Sequence, residues 1–297
     1  MTDGWHFPDP AAPVGVVALS GPADPRAVDQ GLAWLRRTGR EVFVASNATS
    51  GTAFLAGDDL ARISGLTEVL DAGARVIVPV RGGYGVTRIL DRLPWSRLAD
   101  DGVTFVGYSD LTPILNHLAL CGGGIQIHGP MVSDLARCGA DGDRLEALMR
   151  GEVVGPSLFD FGPDQVLRPG IAEGRSMGGN LSLLAALAGT PYQPDLSDGI
   201  VFVEDVNEVP YRLDRLLTQI RSSGMFQGVK GLILGDLSGF SPAGDEAHEV
   251  LAATLLSCVS GPVVHSLPFG HGTMNQAFPV GARVRVDTDD GTIVWRV

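Results

Sequence analysis

Ser109 lies where an apolar stretch, VTFVGY, gives way to a helical one, DLTPILNHLAL. A hydroxyl on such a strand-to-helix corner is lifted off the carboxyl edge of a sheet, where ligands of open α/β sheets bind. The backbone N–H of Asp110 then stands at a helix N-terminus and can donate to developing negative charge. These are the requirements of an acyl-transfer nucleophile. The same Ser-Asp pair is also ordinary helix-cap composition, and that plain reading competes with the chemical one.

A serine nucleophile needs a base, and the base needs an acid to orient it. Among six histidines, His271 in PFGHGTMNQ and His128 in IQIHGPM both sit at strand-to-loop positions. His6, His117, His248 and His265 fall on the N-terminal tail, in helices or in a strand, and read as structural. The stretch GIVFVEDVNEVPYRLDR ends an apolar strand with Glu204 and Asp205 and adds Glu208. A carboxylate there is costly to bury without a partner, but spacing leaves all three acids open. The turn VPVRGGYGVTRI fits neither phosphate-loop pattern, since Arg88 occupies the last glycine position of the nearest fit. It could instead lend a backbone N–H to an oxyanion hole. GRSMG, residues 174–178, fits the GxSxG nucleophile elbow. That elbow needs a buried strand before it, and RPGIAEG is a poor core strand, so Ser176 ranks behind Ser109.

The elements around these residues alternate. VGVVALSG, EVFVAS, RVIVPV and VTFVGY read as short buried strands. Helices are expected over residues 24–39 and 57–73, over GVTRILDRL, and over DLTPILNHLAL with Pro113 in its first turn. Continuous apolar strands alternating with helices predict a parallel sheet covered on both faces. The rhythm breaks after about Met149. GEVVGPSLFDFGPDQVLRPG is rich in Gly and Pro and reads as a crossover. A second unit then follows, with helices NLSLLAALAG, YRLDRLLTQIRSSG and about 245–259, strands GIVFVED, VKGLILGD and GPVVHS, and a hairpin turning at Asp290-Gly291. The expected division is residues 1–150, a crossover over 151–175, and 176–297. The fold class is α/β throughout.

The 297 residues suffice for one large domain or two ordinary ones, and 44% hydrophobic against 19% charged residues suit a globular core. A net charge of -12 argues against a nucleic-acid partner. Three scattered cysteines show no metal spacing and suit a reducing compartment. Without a signal-peptide pattern or an apolar run of roughly 20 residues, no membrane association is expected and a cytoplasmic location is the default.

Taken together, RGGYG (residues 81–85), VGYSDLT (106–112), HGPM (128–131), GGNLSLL (178–184), FVEDVNEVPYRLDR (202–215) and PFGHG (268–272) resemble the LD-carboxypeptidase family. This family of serine peptidases includes the muramoyltetrapeptide carboxypeptidases and the microcin-immunity peptidases. The pieces come in the family's order, and EDVNEVPYRLDR looks more like the muramoyltetrapeptide branch. The resemblance implies Ser109 as nucleophile, Glu204 as acid and His271 as base. It implies oxyanion donors in the backbone N–H groups of Gly83 and Asp110. It also implies a class I glutamine amidotransferase-like N-terminal domain, a smaller β-rich C-terminal domain, a triad assembled across the domain cleft, and a homodimer. The implied reaction releases a C-terminal D-residue from a murein-derived peptide, with no metal and no organic cofactor. Apart from the resemblance, Arg81, which opens the RGGYG turn, is the best-placed cation for the substrate's C-terminal carboxylate. Its plainer alternative is an ion pair that holds the turn.

Overall fold

A computed structural model of the chain describes residues 8–122, 124–152, 155–238, 240–241 and 245–295. The chain forms two compact units, Met1–Val153 with Gln276–Pro279, and Val154–Asn275 with Val280–Val297.

The first unit is built on β1 (Val14–Val17), β2 (Val42–Val44), β3 (Val76–Pro79), β4 (Thr104–Gly107) and β5 (Gln126–His128). Neighbouring strands among these five all pair parallel, in the order β5-β4-β3-β1-β2. Every residue of β1, β3 and β4 is buried, as the unbroken apolar runs require. The helices are α1 (Pro25–Arg37), α2 (Asp59–Asp71), α3 (Trp95–Asp100), α4 (Thr112–Leu120), α5 (Val132–Leu135) and α6 (Ala140–Met149). Asp24 caps α1 by accepting from the Arg26 N–H, with Pro25 in the first turn and Arg36 and Arg37 in the last. Asp58 caps α2 by accepting from Ala61. Pro113 occupies the first turn of α4, where its missing N–H costs no bond.

Chain order reverses between β1 and β3. Their carboxyl ends therefore open the crevice in which open α/β sheets bind ligands. The RGGYG turn leaves β3 at this edge, and Ser109 leaves the adjacent β4.

GVTRILDRL departs from the expected helix. It forms two short 3₁₀ turns, Val86–Arg88 and Leu90–Arg92. Leu93, held extended before Pro94, ends the run after two short turns, and the Val86 N–H at its start is donated to the Asp110 carboxylate.

The second unit carries β6 (Phe159–Asp160), β7 (Val166–Arg168), β8 (Ile171–Asn180), β9 (Gly199–Asp205), β10 (Gly231–Leu237), β11 (Val263–Val264), β13 (Arg283–Asp287) and β14 (Thr292–Trp295). The intervening β12 (Phe278–Val280) joins the first sheet at the free side of β5. The second sheet is mixed, in the order β6-β14-β13-β8-β9-β10-β11-β7. β8 through β11 pair parallel, and the β13–β14 hairpin runs antiparallel to β8. The helices are α7 (Leu181–Leu187), α8 (Pro210–Ser222) and α9 (Glu246–Cys258). Among the described residues, no helix is long and apolar enough to cross a membrane.

Of RPGIAEG, residues 171–174 open β8, and they are as poor a core strand as the sequence suggests. Residues 171–175 are mostly solvent-accessible, and only from Ser176 onward is β8 buried without interruption. The apolar signal is missing because this half of the strand lies at the sheet's wet end, while backbone pairing to β13 holds it in place.

Candidate active site

Ser109 is partly exposed and has φ +59°. A serine in this left-handed region stores about 1–2 kcal/mol of backbone strain, which a cap serine in the extended region avoids. Tyr108 precedes the 3₁₀ turn Ser109–Leu111, and Leu111 precedes α4, so Ser109 is the cap of neither. The competing helix-cap reading therefore has no geometric support. Strain at a strand-to-helix corner is how a nucleophile elbow projects its hydroxyl.

The corner is anchored from beneath. Asp110 is 1% exposed, and its Oδ2 accepts from Ser20 Oγ at 2.6 Å and from the Val86 N–H at 2.9 Å. Burial pushes this carboxyl upward. The Ser20 and Val86 hydrogen bonds and the Arg62 charge oppose the shift. One side chain thus ties the ends of β1 and β4 to the RGGYG turn. Arg62, fully buried, donates to the Leu19 carbonyl at 2.5 Å and the Gly85 carbonyl at 2.8 Å, and pairs with Asp59 at 2.6 Å. Neither anchoring role was visible in the sequence, where Asp110 was of interest only for its N–H.

Gly82 packs directly on the serine. A Cβ there would stand 3.1 Å from Ser109 Cβ and 3.2 Å from its Oγ. Gly83, at φ +114°, follows in a conformation that L side chains rarely adopt. Arg81 is exposed and donates to the Pro22 carbonyl at 3.2 Å. Among the described residues it forms no ion pair, so the plainer expectation of an acidic partner for Arg81 is not met.

The second unit brings two of the expected residues together. Glu204, at the carboxyl end of β9, is fully buried, and its Oε2 accepts from His271 Nδ1 at 2.5 Å. Burial pushes the Glu204 carboxyl upward against the lowering effect of His271. Burial alone would pull His271 down. The Glu204 hydrogen bond and charge, with Asp205 and Asp236, outweigh it, and the imidazole rises above its ordinary range. The upward shift of His271 is the one expected beside a carboxylate that stabilises imidazolium, whereas burial works against the charged form of Glu204.

The other acids are occupied differently. Asp205, on the opposite face of β9, accepts from Ser182 N–H and Oγ, from Asn180 Nδ2 and from the Val206 N–H. It holds the start of α7. Glu208 pairs with Arg212 at 3.7 Å, one helical turn on. Strand alternation separates Glu204 from Asp205, and spacing alone did not reveal which one faces the histidine.

The His271 loop is pinned to β10. The Asp236 N–H donates to the Phe269 carbonyl at 2.8 Å, and Leu267 N–H to the Leu234 carbonyl at 3.0 Å. Gly270 donates to Asn275 Oδ1 at 3.0 Å. A cavity of about 390 Å³ opens beside the loop, lined by Asp236, Ser238, Phe240 and Thr273 among others.

The rival candidates fall in structural places. His128 is buried and stacks on Phe278 with ring centroids 4.6 Å apart. Ser176 lies within β8, buried, donating its hydroxyl to the Ala282 carbonyl at 3.1 Å, so GRSMG forms no elbow. Burial pushes the Cys138 thiol up to about 12 and that of Cys258 to about 11, which leaves both poor nucleophiles. His6 lies outside the described residues.

The chain matches the LD-carboxypeptidase N-terminal domain over residues 14–129 and the LD-carboxypeptidase C-terminal domain over residues 173–286. A murein tetrapeptide carboxypeptidase of Pseudomonas aeruginosa is 30% identical over 283 residues, which span 90% of this chain and 91% of its own. The crystal structure of muramoyltetrapeptide carboxypeptidase from Oxalobacter formigenes superposes with a TM-score of 0.78 at 32% identity, covering 95% of this chain and 97% of that one. The microcin C7 self immunity protein MccF, at 21% identity and a TM-score of 0.82 over 98% of this chain and 99% of its own, shares the fold. With both family domains matched in order, and relatives at 30% identity or above spanning nearly the whole chain, this protein belongs to the LD-carboxypeptidase family.

Proposed function

We propose that the protein is a serine-type LD-carboxypeptidase that releases the C-terminal D-residue of a murein-derived tetrapeptide. In this scheme Ser109 Oγ attacks the carbonyl of the L-residue, and His271 takes its proton through Nε2, because Nδ1 is committed to Glu204. The Gly83 and Asp110 N–H groups receive the oxyanion. His271 then protonates the departing amine, and water hydrolyses the acyl-enzyme by the same steps. Ser109 belongs to one unit and the Glu204–His271 pair to the other, so the scheme requires the two to meet during catalysis. The observation that carries the reading is the strained Ser109 corner, together with an independently built, buried Glu–His pair, in a member of this family. Carrying the work over to murein peptides draws on what the relatives from P. aeruginosa and O. formigenes are named for.

Arg81 is the cation proposed to bind the substrate's carboxylate. We also expect a cytoplasmic homodimer with an amidotransferase-type first unit, on the family resemblance. The microcin-type alternative, cleavage of a peptide–nucleotide conjugate, rests on a fold shared with MccF at 21% identity. The test is a panel of muropeptides and aminoacyl-sulfamoyl nucleosides, with products read by mass spectrometry. Release of free D-alanine from a tetrapeptide but not from its C-terminal amide is the expected result. Cleavage of the nucleoside conjugates alone would overturn the assignment.

A further inference from the structure

Two aromatic side chains stand exposed beside the Ser109 corner, Phe54 at 64% and Tyr84 at 47%. Their rings pack edge to face with centroids 5.6 Å apart. Exposed aromatics are usually mobile, but these are held. Tyr84 belongs to the RGGYG turn, and its hydroxyl lies near the Arg88 guanidinium. Arg88 is fixed in turn by a bidentate pair with Asp59, at 3.0 and 3.1 Å. Phe54 sits in a tight turn closed by two backbone hydrogen bonds between Thr52 and Leu55, at 2.7 and 3.1 Å. Ala53 within that turn has φ +54°, a strained conformation for a residue with a side chain. The Ala56 N–H donates to the Ser20 carbonyl at 2.9 Å, which fastens the turn to the end of β1.

The aromatic pair adjoins the catalytic corner. A Cβ at Gly21 would lie 3.6 Å from the Phe54 carbonyl oxygen and 3.8 Å from Gly83 Cα, and Gly82 in turn touches Ser109. Arg81 is three residues before Tyr84, with its guanidinium within 4.0 Å of the Cβ position of Gly83. A cation and two exposed aromatic faces therefore flank the same turn.

We propose that Phe54 and Tyr84 form the subsite for the side chain of the departing residue, and that this subsite takes apolar side chains larger than methyl. The inference rests on the carboxypeptidase reading above. If Arg81 holds the terminal carboxylate, the side chain on the adjacent Cα must lie close by, and the aromatic pair offers exposed apolar surface adjoining that turn. A methyl group leaves most of these two faces wet. A leucine or phenylalanine side chain covers them, and apolar contact of that size is worth about tenfold or more in selectivity.

The experiment uses tetrapeptides of one acyl sequence ending in D-Ala, D-Leu or D-Phe, with kcat/KM measured for wild type, Phe54→Ala and Phe54→Tyr. Wild type is expected to release D-Leu and D-Phe faster than D-Ala, by about tenfold. Phe54→Ala should lower the D-Phe to D-Ala ratio about tenfold, and Phe54→Tyr, which restores a ring, should recover it. If wild type releases D-Ala alone, the carboxypeptidase reading stands and this inference is overturned. An unchanged ratio in Phe54→Ala also overturns it, as does a change confined to the sedimentation mass, which would make the pair a contact between copies of the chain. If no peptide is cut, the carboxypeptidase reading falls and takes the subsite with it.

Discussion

Gly270→Ala perturbs the Glu204–His271 pair without removing either partner. Gly270 has φ +109°, and a Cβ there would stand 2.8 Å from Glu204 Cβ, 3.0 Å from Cγ and 3.0 Å from Oε2. The conformational cost of a side chain at positive φ is about 1–2 kcal/mol. Forcing a methyl against a buried side chain adds about 1–3 kcal/mol. Glu204 is fully buried and held on β9, so it has little room to retreat. The expected destabilisation is about 2–5 kcal/mol, or a fall in Tm of roughly 5–15 °C, unless the loop shifts to relieve it. A shift moves His271, the next residue, and a displacement near 1 Å costs about 10²-fold in rate. Gly189→Ala is the control. It lies in the same unit at φ +77° with nothing within 4 Å of its Cβ position, so it bears the conformational cost alone. Thermal melts and kcat/KM on a tetrapeptide should show Gly270→Ala losing far more of both than Gly189→Ala. Equal, mild effects in the two variants would refute the close packing of Gly270 on Glu204.

Ser109→Gly should abolish turnover, by roughly 10⁴-fold, yet melt no lower than wild type, since glycine accepts φ +59° without strain. A clearly lower Tm would deny that the corner is strained. Catalysis needs neutral His271, and its partners raise its affinity for a proton, so activity should fall with decreasing pH at an acidic limb of kcat/KM above the ordinary imidazole value of about 6.5. Glu204→Gln removes the leading upward influence and should move that limb to lower pH while reducing the rate; an unmoved limb in pH–rate profiles would assign it to another group. Asp205→Ala should cost about 2–3 kcal/mol in a denaturant melt, through the lost partners of Ser182, Asn180 and Val206, whereas Glu208→Ala should cost under about 1 kcal/mol.

Much of the scaffold was legible from the sequence because it follows local rules. The apolar runs of β1, β3 and β4, the capping aspartates of α1 and α2, Pro113 at the start of α4 and the Asp290-Gly291 turn each have a short-range cause. What stayed hidden has other causes. GVTRILDRL carries helical periodicity, but it breaks into two 3₁₀ turns and is ended by Leu93, held extended before Pro94. The wet half of β8 has no apolar signature because its side chains mostly face solvent, and the strand that holds it, β13, lies about a hundred residues away. β12 was missed because three residues, FPV, carry too little pattern to register. In the site, residue types left Ser109 against a helix cap, His271 beside His128 and three acids near 204, and the family resemblance made the selection. Among Glu204, Asp205 and Glu208 it pointed to Glu204, which the arrangement places against His271 while Asp205 is spent on α7. The positive φ of Ser109 and the aromatic pair of Phe54 and Tyr84 leave no mark in a single sequence.

The most direct test of the account is covalent. Intact-mass spectrometry after treatment with a fluorophosphonate reads whether one serine is activated and which one. Wild type and Ser176→Ala should each gain a single phosphonyl adduct, mapped by peptide digestion to Ser109. Ser109→Ala should gain none, and His271→Ala should label at least a hundredfold more slowly, on the order of the loss expected without the base. An adduct on Ser176, or labelling of Ser109 at the wild-type rate in His271→Ala, would contradict the assignment of Ser109 and His271 as nucleophile and base.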